Sequence, residues 1–574
     1  MTLLEISWES IKQVVLFDKS SPLIFTNLLF WYFFAFVLLG YSLVHKHTAV
    51  RNGFLFLVSI YFYYKTSEWF FYLLLFSTVS DYFIGNAIFK SEVQLHRKLW
   101  LALSITVNLL ILIYFKYAYF FADSFNDLFG TAYHPINHFA KLSNELFGTG
   151  FRFETIALPV GISFYTFQTI SYAVDIFRKD VKPVRNIIDF GFYVSFFPQL
   201  VAGPIVRAAD FVPQLYQKYQ LSKATFGLAL FWILNGLLKK LFLADYLALN
   251  FIDRVFEAPA SYTGFENLMA LYGYSLQVYA DFSGYTDIAI GIALLLGFTL
   301  PQNFNSPYKA DSVGNFWKRW HMSLSSWLKD YLYIPMGGNR GGSLFSFVSL
   351  SFIVAFIFFI SGSWLVLGLT IGILLLAYIL GRFIPSFGKW STTNINMMMT
   401  MLLGGLWHGA SWNFVIWGAL NGLGLVVFKL WNRVSPWKNK SKWWNRVLGI
   451  FLTFQFISFT RIWFRSGSNN SWEDIGEAHN ILEELLNANT MLNQIIRKMD
   501  LSIAGEVITG FAPVFVVMIL GYLIHWLPSN WKMWYRNTFI SLPIPLQLFI
   551  TVLALLVLYQ VISADAQPFI YFQF

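Results

Sequence analysis

Apolar runs recur along this chain from one end to the other. They lie near 22–44, 53–64, 69–89, 99–121, 157–176, 188–206, 226–248, 266–280 and 283–300. More follow near 343–360, 363–382, 397–430, 446–464, 511–527 and 544–563. Several fall short of the ~20 residues that a helix standing upright in a bilayer needs. Others contain Pro and Gly, as in FFPQLVAGPIV (Phe196–Val206). Such pieces read as broken or re-entrant helices. Irregular backbone survives at membrane depth only inside protein or along a wet cavity. The expected fold is all-α: one polytopic membrane bundle over 1–574, with broken helices around a central funnel or tunnel.

Charge is scarce. Charged residues make up 12% of the chain and hydrophobic ones 57%, against about 25% charged in soluble domains. With no cysteine, disulfides, thiolate nucleophiles and Cys-ligated metals are excluded. The net charge of +10 fits Lys and Arg gathered in cytoplasmic loops better than a nucleic-acid footprint. The loops 45–53, 90–98 and 178–185 are basic and alternate with 66–69 and 122–155. The positive-inside rule then sets the N-terminus outside. The start, MTLLEISWESIKQVVLFDKSS, lacks the basic n-region of a signal peptide and suits an interfacial helix. The longest polar interval, 466–503, has the spacing of an amphipathic surface helix. No internal repeat stands out, which argues against a transporter built from inverted repeats.

Four stretches hold the residues able to do chemistry. In GNFWKRWHMSLSSWLKDYLYIPMGGNRGG (Gly314–Gly342), a helix over Phe316–Tyr333 would place Trp317, Trp320, Leu324, Trp327, Leu328 and Tyr331 on one face. His321 would sit at its edge, with Lys318 and Arg319 beside it. An interfacial aromatic belt with snorkelling cations explains the same residues. In MLLGGLWHGASWNFVIWGALNG (Met401–Gly422), His408 lies within an apolar run, next to Trp407 and before Asn413. An ionisable group at that depth is a functional hypothesis, and imidazole suits proton transfer near neutral pH. A structural histidine bonded to a neighbouring helix is the other reading. In YADFSGYTDIAIGIALLLGF (Tyr279–Phe298), Asp281, Ser283, Tyr285 and Asp287 form a polar knot between two apolar runs. Its carboxylates orient an imidazole, pair with Arg319, or cap helices. The fourth stretch, ALPVGISFYTFQTISYAVDIFR (Ala157–Arg178), carries Gln168 among hydroxyls that glue helices or line a tunnel. No Gly-x-Ser-x-Gly elbow, Walker loop or HExxH zinc motif occurs. A histidine acting as general base on a bound hydroxyl fits better than a covalent serine.

Together these motifs resemble the membrane-bound O-acyltransferase family. The similarity also draws on FFPQLVAGPIVRAADFVPQL and the terminal QPFIYFQF, and it covers about 50–467 plus the end. It is nearest to the branch that O-acetylates alginate, with the D-alanyl-transfer proteins of teichoic acid as cousins. The resemblance implies two catalytic histidines: His321 in the W-x-x-W-H motif and His408 in the L-W-H-G-A motif. It implies a many-helix fold with a cytoplasmic funnel; from the residues themselves, the donor site and tunnel are expected to be lined by Lys318, Arg319, Trp317, Trp320, Trp407, Asn413, Asp281, Ser283, Tyr285 and Gln168. Lys318 and Arg319 would attract the donor's phosphates. The donor expected is cytoplasmic acetyl-CoA, with no resident cofactor or metal. The acceptor would be an extracytoplasmic glycan, reached with a partner carrying an SGNH-hydrolase-like domain, at the bacterial inner membrane. D-alanyl transfer from a carrier-protein thioester, a glycan or lipid transporter and a bare scaffold are the alternatives. One departure from the family pattern is the apolar stretch 343–383, which reads as an added transmembrane hairpin.

Overall fold

The computed structural model describes residues 15–18, 22–435, 442–467 and 481–561; among them there is no strand. In chain order the helices are α1 (Leu28–Val44), α2 (Thr48–Ser67), α3 (Phe71–Lys90), α4 (Gln94–Leu112), α5 (Ala118–Phe129), α6 (His138–Phe147) and α7 (Ile162–Arg178). Then come α8 (Ile187–Ser195), α9 (Lys223–Leu237), α10 (Gly264–Leu295), α11 (Leu344–Ser361), α12 (Trp364–Phe383), α13 (Pro385–His408), α14 (Trp412–Val434) and α15 (Trp443–Gly467). The last are α16 (Ile481–Arg497), α17 (Ala512–Trp526), α18 (Ser529–Ser541) and α19 (Ile544–Val561), with shorter helical turns between them. Seven helical stretches among the described residues are long and apolar enough to cross a membrane. Two more pairs reach that length only as bent units: Ala504–Gly510 with α17, turned by 89°, and α18 with Ile544–Tyr559, turned by 118°. The chain is thus a multi-pass helical membrane protein.

Helix α10 is the axis. Its most apolar stretch is wholly buried, whereas α12 buries none of its residues. Thr263 and Glu266 close a capping box at the start of α10, satisfying amides that would otherwise face no partner. Along its length α10 packs backbone to backbone against α9. A Cβ on Gly236 would lie 2.5 Å from the Gly284 carbonyl oxygen, and one on Gly291 would lie 2.7 Å from that of Ala229. Small residues of this kind are what permit close helix contact where lipid offers no hydrophobic drive.

Buried charge fastens the same interface. Lys240 Nζ lies 2.5 Å from Asp281 and 2.7 Å from Asp245, and Lys239 Nζ lies 2.7 Å from Asp287. Asp287 also accepts from Asn235 at 2.5 Å. The polar knot is therefore neither a loop nor a cap. The runs 266–280 and 283–300 merge into one helix, because lysines about 40 residues earlier neutralise its two carboxylates within the bundle. The run 397–430 does the opposite and splits into α13 and α14. In the interval 466–503, α16 buries Ala488, Met491 and Gln494 against the bundle, and residues 468–480 lie outside the described residues. So do the terminal QPFIYFQF and most of the N-terminal segment.

Removing one member of a buried ion pair costs about 3–5 kcal/mol, since the other charge is stranded. Lys240→Met strands two carboxylates at once. Its melting transition in detergent should fall well below that of wild type, or the protein should fail to accumulate. An unchanged transition would show that α9 and α10 are held by their glycine contact alone.

Candidate active site

The sequence over Phe316–Tyr333 does not make one helix. A short helix ends at Trp317, a second runs Met322–Trp327, and a wider π-helical turn follows at Leu328–Tyr333. The break falls on His321, whose φ is +42°. A non-glycine residue there costs about 1–3 kcal/mol and needs support from its surroundings. Asn303 provides it. Its carbonyl accepts from Met322 N at 2.9 Å and its side-chain oxygen from Ser323 N at 3.1 Å. Ser323 Oγ in turn accepts from Ile205 N at 3.0 Å. The strained turn aims the imidazole inward, where it is 1% exposed and the Phe282 ring of α10 meets it edge-on at 4.6 Å.

His408 is the last residue of α13. The chain turns through Gly409 and Ala410 to Ser411, which caps α14 by accepting from Asn413 N at 3.2 Å. Gly409 is required by space: a Cβ there would lie 2.1 Å from the Phe414 ring. Around the His408 imidazole stand Trp407 at 5.1 Å, Trp417 at 5.1 Å and Phe464 at 5.2 Å between ring centroids. The two imidazoles face each other at 6.5 Å. That is too far for them to bond directly and close enough to flank one reacting group.

A helix that ends inside the bundle leaves its last carbonyls without helical donors. Residues of the π-helical turn Ile113–Tyr117 supply them. Lys116 Nζ donates to the carbonyls of Trp407 at 2.8 Å and His408 at 3.2 Å, and to Ser163 Oγ at 3.3 Å. The Tyr117 hydroxyl donates to the Leu406 carbonyl at 2.8 Å. Lys116 is 6% exposed. Sequence reasoning passed over it, although a lysine inside the apolar stretch 99–121 was a visible signal. Arg461 of α15 was missed too. It is 2% exposed and lies over the Trp320 ring at 4.4 Å.

The other expected site residues divide. Trp407 adjoins both histidines, at 5.8 and 5.1 Å, and its ring stacks on Phe167 of α7. Trp320 packs on Phe304 and Phe316 at 5.1 and 5.5 Å. Trp317 meets Trp417, a neighbour of His408, at 5.6 Å. Asn413 is fully buried at the first turn of α14, and Gln168 is buried in α7, two helical residues before Ile170. Asp281 pairs with Lys240, not with Arg319 or an imidazole. Ser283 is buried beside it, and Tyr285 stacks on Phe25 at 4.5 Å. Phe282 of α10 meets His321 edge-on. Lys318 is exposed. Arg319 holds its own loop, donating to Asn315 Oδ1 and the Asn305 carbonyl at 3.1 Å each.

The model of the membrane-bound O-acyltransferase family matches residues 180–380, which include His321. A probable alginate O-acetylase of Azotobacter vinelandii is 38% identical over 61% of this chain, and the match spans 58% of that relative's length. A probable alginate O-acetylase of Pseudomonas syringae pv. tomato is 35% identical over 77% of this chain and 72% of its own. A peptidoglycan O-acetyltransferase of Helicobacter pylori is 29% identical over 88% of this chain and 91% of its own. At that identity and coverage the chain belongs to the membrane-bound O-acyltransferase family.

Proposed function

We propose that this chain is an O-acyltransferase that moves an acetyl group from cytoplasmic acetyl-CoA to hydroxyls of an extracytoplasmic glycan. The observation that carries the reading is the pair of imidazoles facing across 6.5 Å within an aromatic chamber. The relatives' printed activities, on alginate and peptidoglycan, support acetyl transfer to an envelope polymer.

A thioester is already activated, so the protein must align the reactants, exclude water and move one proton. His408 takes the proton from the acceptor hydroxyl as its oxygen attacks the thioester carbonyl. The carbon–sulfur bond then breaks. The thiolate leaves and takes the proton back from His408, giving ester and free thiol. His321 faces the same carbonyl from the other side and steadies the negative charge that gathers on its oxygen. Lys318 and Arg319 stand at the donor's entrance. Basic loops on the cytoplasmic side place the N-terminus outside, at the bacterial inner membrane. A partner with an SGNH-hydrolase-like domain carries the acetyl group onward to the glycan.

The first test is label transfer from acetyl-CoA in inside-out vesicles. Wild type should pass label to a glycan or a partner protein. His408→Ala, at equal protein level, should lose about 100-fold or more of that rate, the range of a general base. Label that moves equally well in His408→Ala and His321→Ala would remove the mechanism. Silence with acetyl-CoA beside transfer from a carrier-protein thioester would replace the donor with an aminoacyl one.

Lys116 acts on the reaction through His408, as a positioning residue. A misplacement of about 1 Å costs up to about 100-fold in rate. Lys116→Met should therefore lower kcat between tenfold and 100-fold at little change in donor KM, and Lys116→Arg should recover part of the loss. A rise in KM with kcat intact would place Lys116 in binding instead.

A further inference from the structure

A second concentration of charge lies where the turn between α17 and α18 meets the loop after α10. Helix α17 stops at Trp526. Lys309 Nζ donates to the Leu527 carbonyl at 2.5 Å, and Lys532 Nζ donates to the His525 carbonyl at 2.8 Å and to Ser306 Oγ at 2.9 Å. Lys239 completes the group from the π-helical turn Leu238–Asp245 that follows α9, with its ammonium 5.7 Å from the Tyr279 ring. That ring meets the His525 imidazole edge-on at 4.6 Å. Lys532 feels the charges of both Lys309 and Lys239, and Lys309 feels those of Arg319 and Arg446.

The group is out of balance. Among the described residues, Asp287 is the one carboxylate in an ion pair with these lysines, and it is bound to Lys239. The end of α17 adds about half a negative charge. Three ammonium groups against those two leave about one and a half positive charges uncompensated. Both Lys309 and Lys532 bond carbonyls of this one helix end, those of Leu527 and His525. Repulsion among close ammoniums is tolerated where an anion completes the site. The cluster also adjoins the reaction chamber. His525 lies 5.1 Å from the Tyr308 ring, and Tyr308 lies 6.4 Å from Trp320, which Arg461 covers.

We propose that Lys309, Lys532 and Lys239 form a phosphate-binding site at the carboxyl end of α17. The ligand is a phosphate or pyrophosphate group, either on a soluble acyl donor or on an anionic lipid. Only the first source rests on the acetyl-CoA reading. In that case these lysines hold the donor's phosphates while its thioester reaches the histidines.

Binding is measured without turnover. The full chain in detergent is titrated calorimetrically with inorganic pyrophosphate, and separately with short-chain phosphatidylglycerol. The comparison variant is Lys309→Gln/Lys532→Gln, which keeps amide donors for the helix-end carbonyls and removes the charge. Wild type should bind at least one probe saturably, and the variant should bind it about tenfold more weakly or worse, the loss of one charge-assisted contact or more. Pyrophosphate binding assigns the site to a soluble donor; phosphatidylglycerol binding alone assigns it to lipid. Equal affinity in both proteins, or no binding of either probe to wild type, overturns the proposal. Wild type that binds pyrophosphate yet transfers no acetyl group refutes the acetyl-CoA reading and leaves the site standing.

Discussion

The grip of a buried cation on a helix's carboxyl end holds this molecule together at its critical places. Lys116 holds the end of α13. Arg97 donates to the Phe177 carbonyl near the end of α7 at 2.6 Å and to the Ile88 carbonyl in α3 at 3.3 Å. Lys309 and Lys532 do the same for α17. Arg51 secures the end of the 3-10 turn Val212–Tyr216 through the carbonyls of Leu215 and Gln217, at 2.7 and 2.9 Å. A bundle of unbroken spans needs no such devices, because each interior carbonyl is met within its own helix. A bundle with a reaction chamber inside it needs helices that stop at depth. Each stop exposes carbonyls and a negative dipole end, and a long basic side chain from another helix answers both.

This accounts for where the scarce charge goes. The interior lysines and arginines are not a belt of snorkelling residues. They are placed on carbonyls, on carboxylates of α10, or over aromatic faces. It also explains the form of the active centre. His408 can stand at the terminus of a helix only because Lys116 and Tyr117 satisfy the three carbonyls at that terminus. His321 can hold a strained backbone only because Asn303 bonds the two amides that follow it. Both imidazoles are thus fixed by main-chain hydrogen bonds, with aromatic rings filling the space around them.

Much of this was legible in the sequence, and the failures share a cause. Apolar runs located the spans. The Pro- and Gly-containing stretch at 196–206 announced a broken helix, and the structure interrupts it between Ser195 and Phe197. His408 stood out as an ionisable residue in an oily run, and the motifs carried the family. Periodicity gave one helix over Phe316–Tyr333, because local spacing is blind to Asn303, which breaks it at His321 from outside the segment. Asp281 looked like a cap because a carboxylate in an apolar run is costly, and its remedy, Lys240, lies in another helix. Lys116 was overlooked for the converse reason: its three acceptors come from α7 and α13, and its own neighbours give no hint of them. Local pattern fixes which segments enter the membrane. Partners distant in sequence decide where those segments may stop.

The same logic separates the two places where charge collects beside the chamber. Between α9 and α10 each lysine is held in an ion pair, Lys239 by Asp287 and Lys240 by Asp281 and Asp245, beside the close glycine contact of the two helices. That pairing is architecture. At the end of α17 three lysines meet a single paired carboxylate among the described residues, Asp287, and the aromatic layer of Tyr308, Phe304 and Trp320 runs from there toward His321. Neutral aromatic rings insulate the imidazoles from that excess charge. An uncharged imidazole is the form that can accept a proton, so the chamber has reason to keep its anion-attracting charge at a distance. Aromatic packing, which accounts for a fifth of the residues, is more than an apolar filler: it encloses both imidazoles and separates His321 from the lysines at the end of α17.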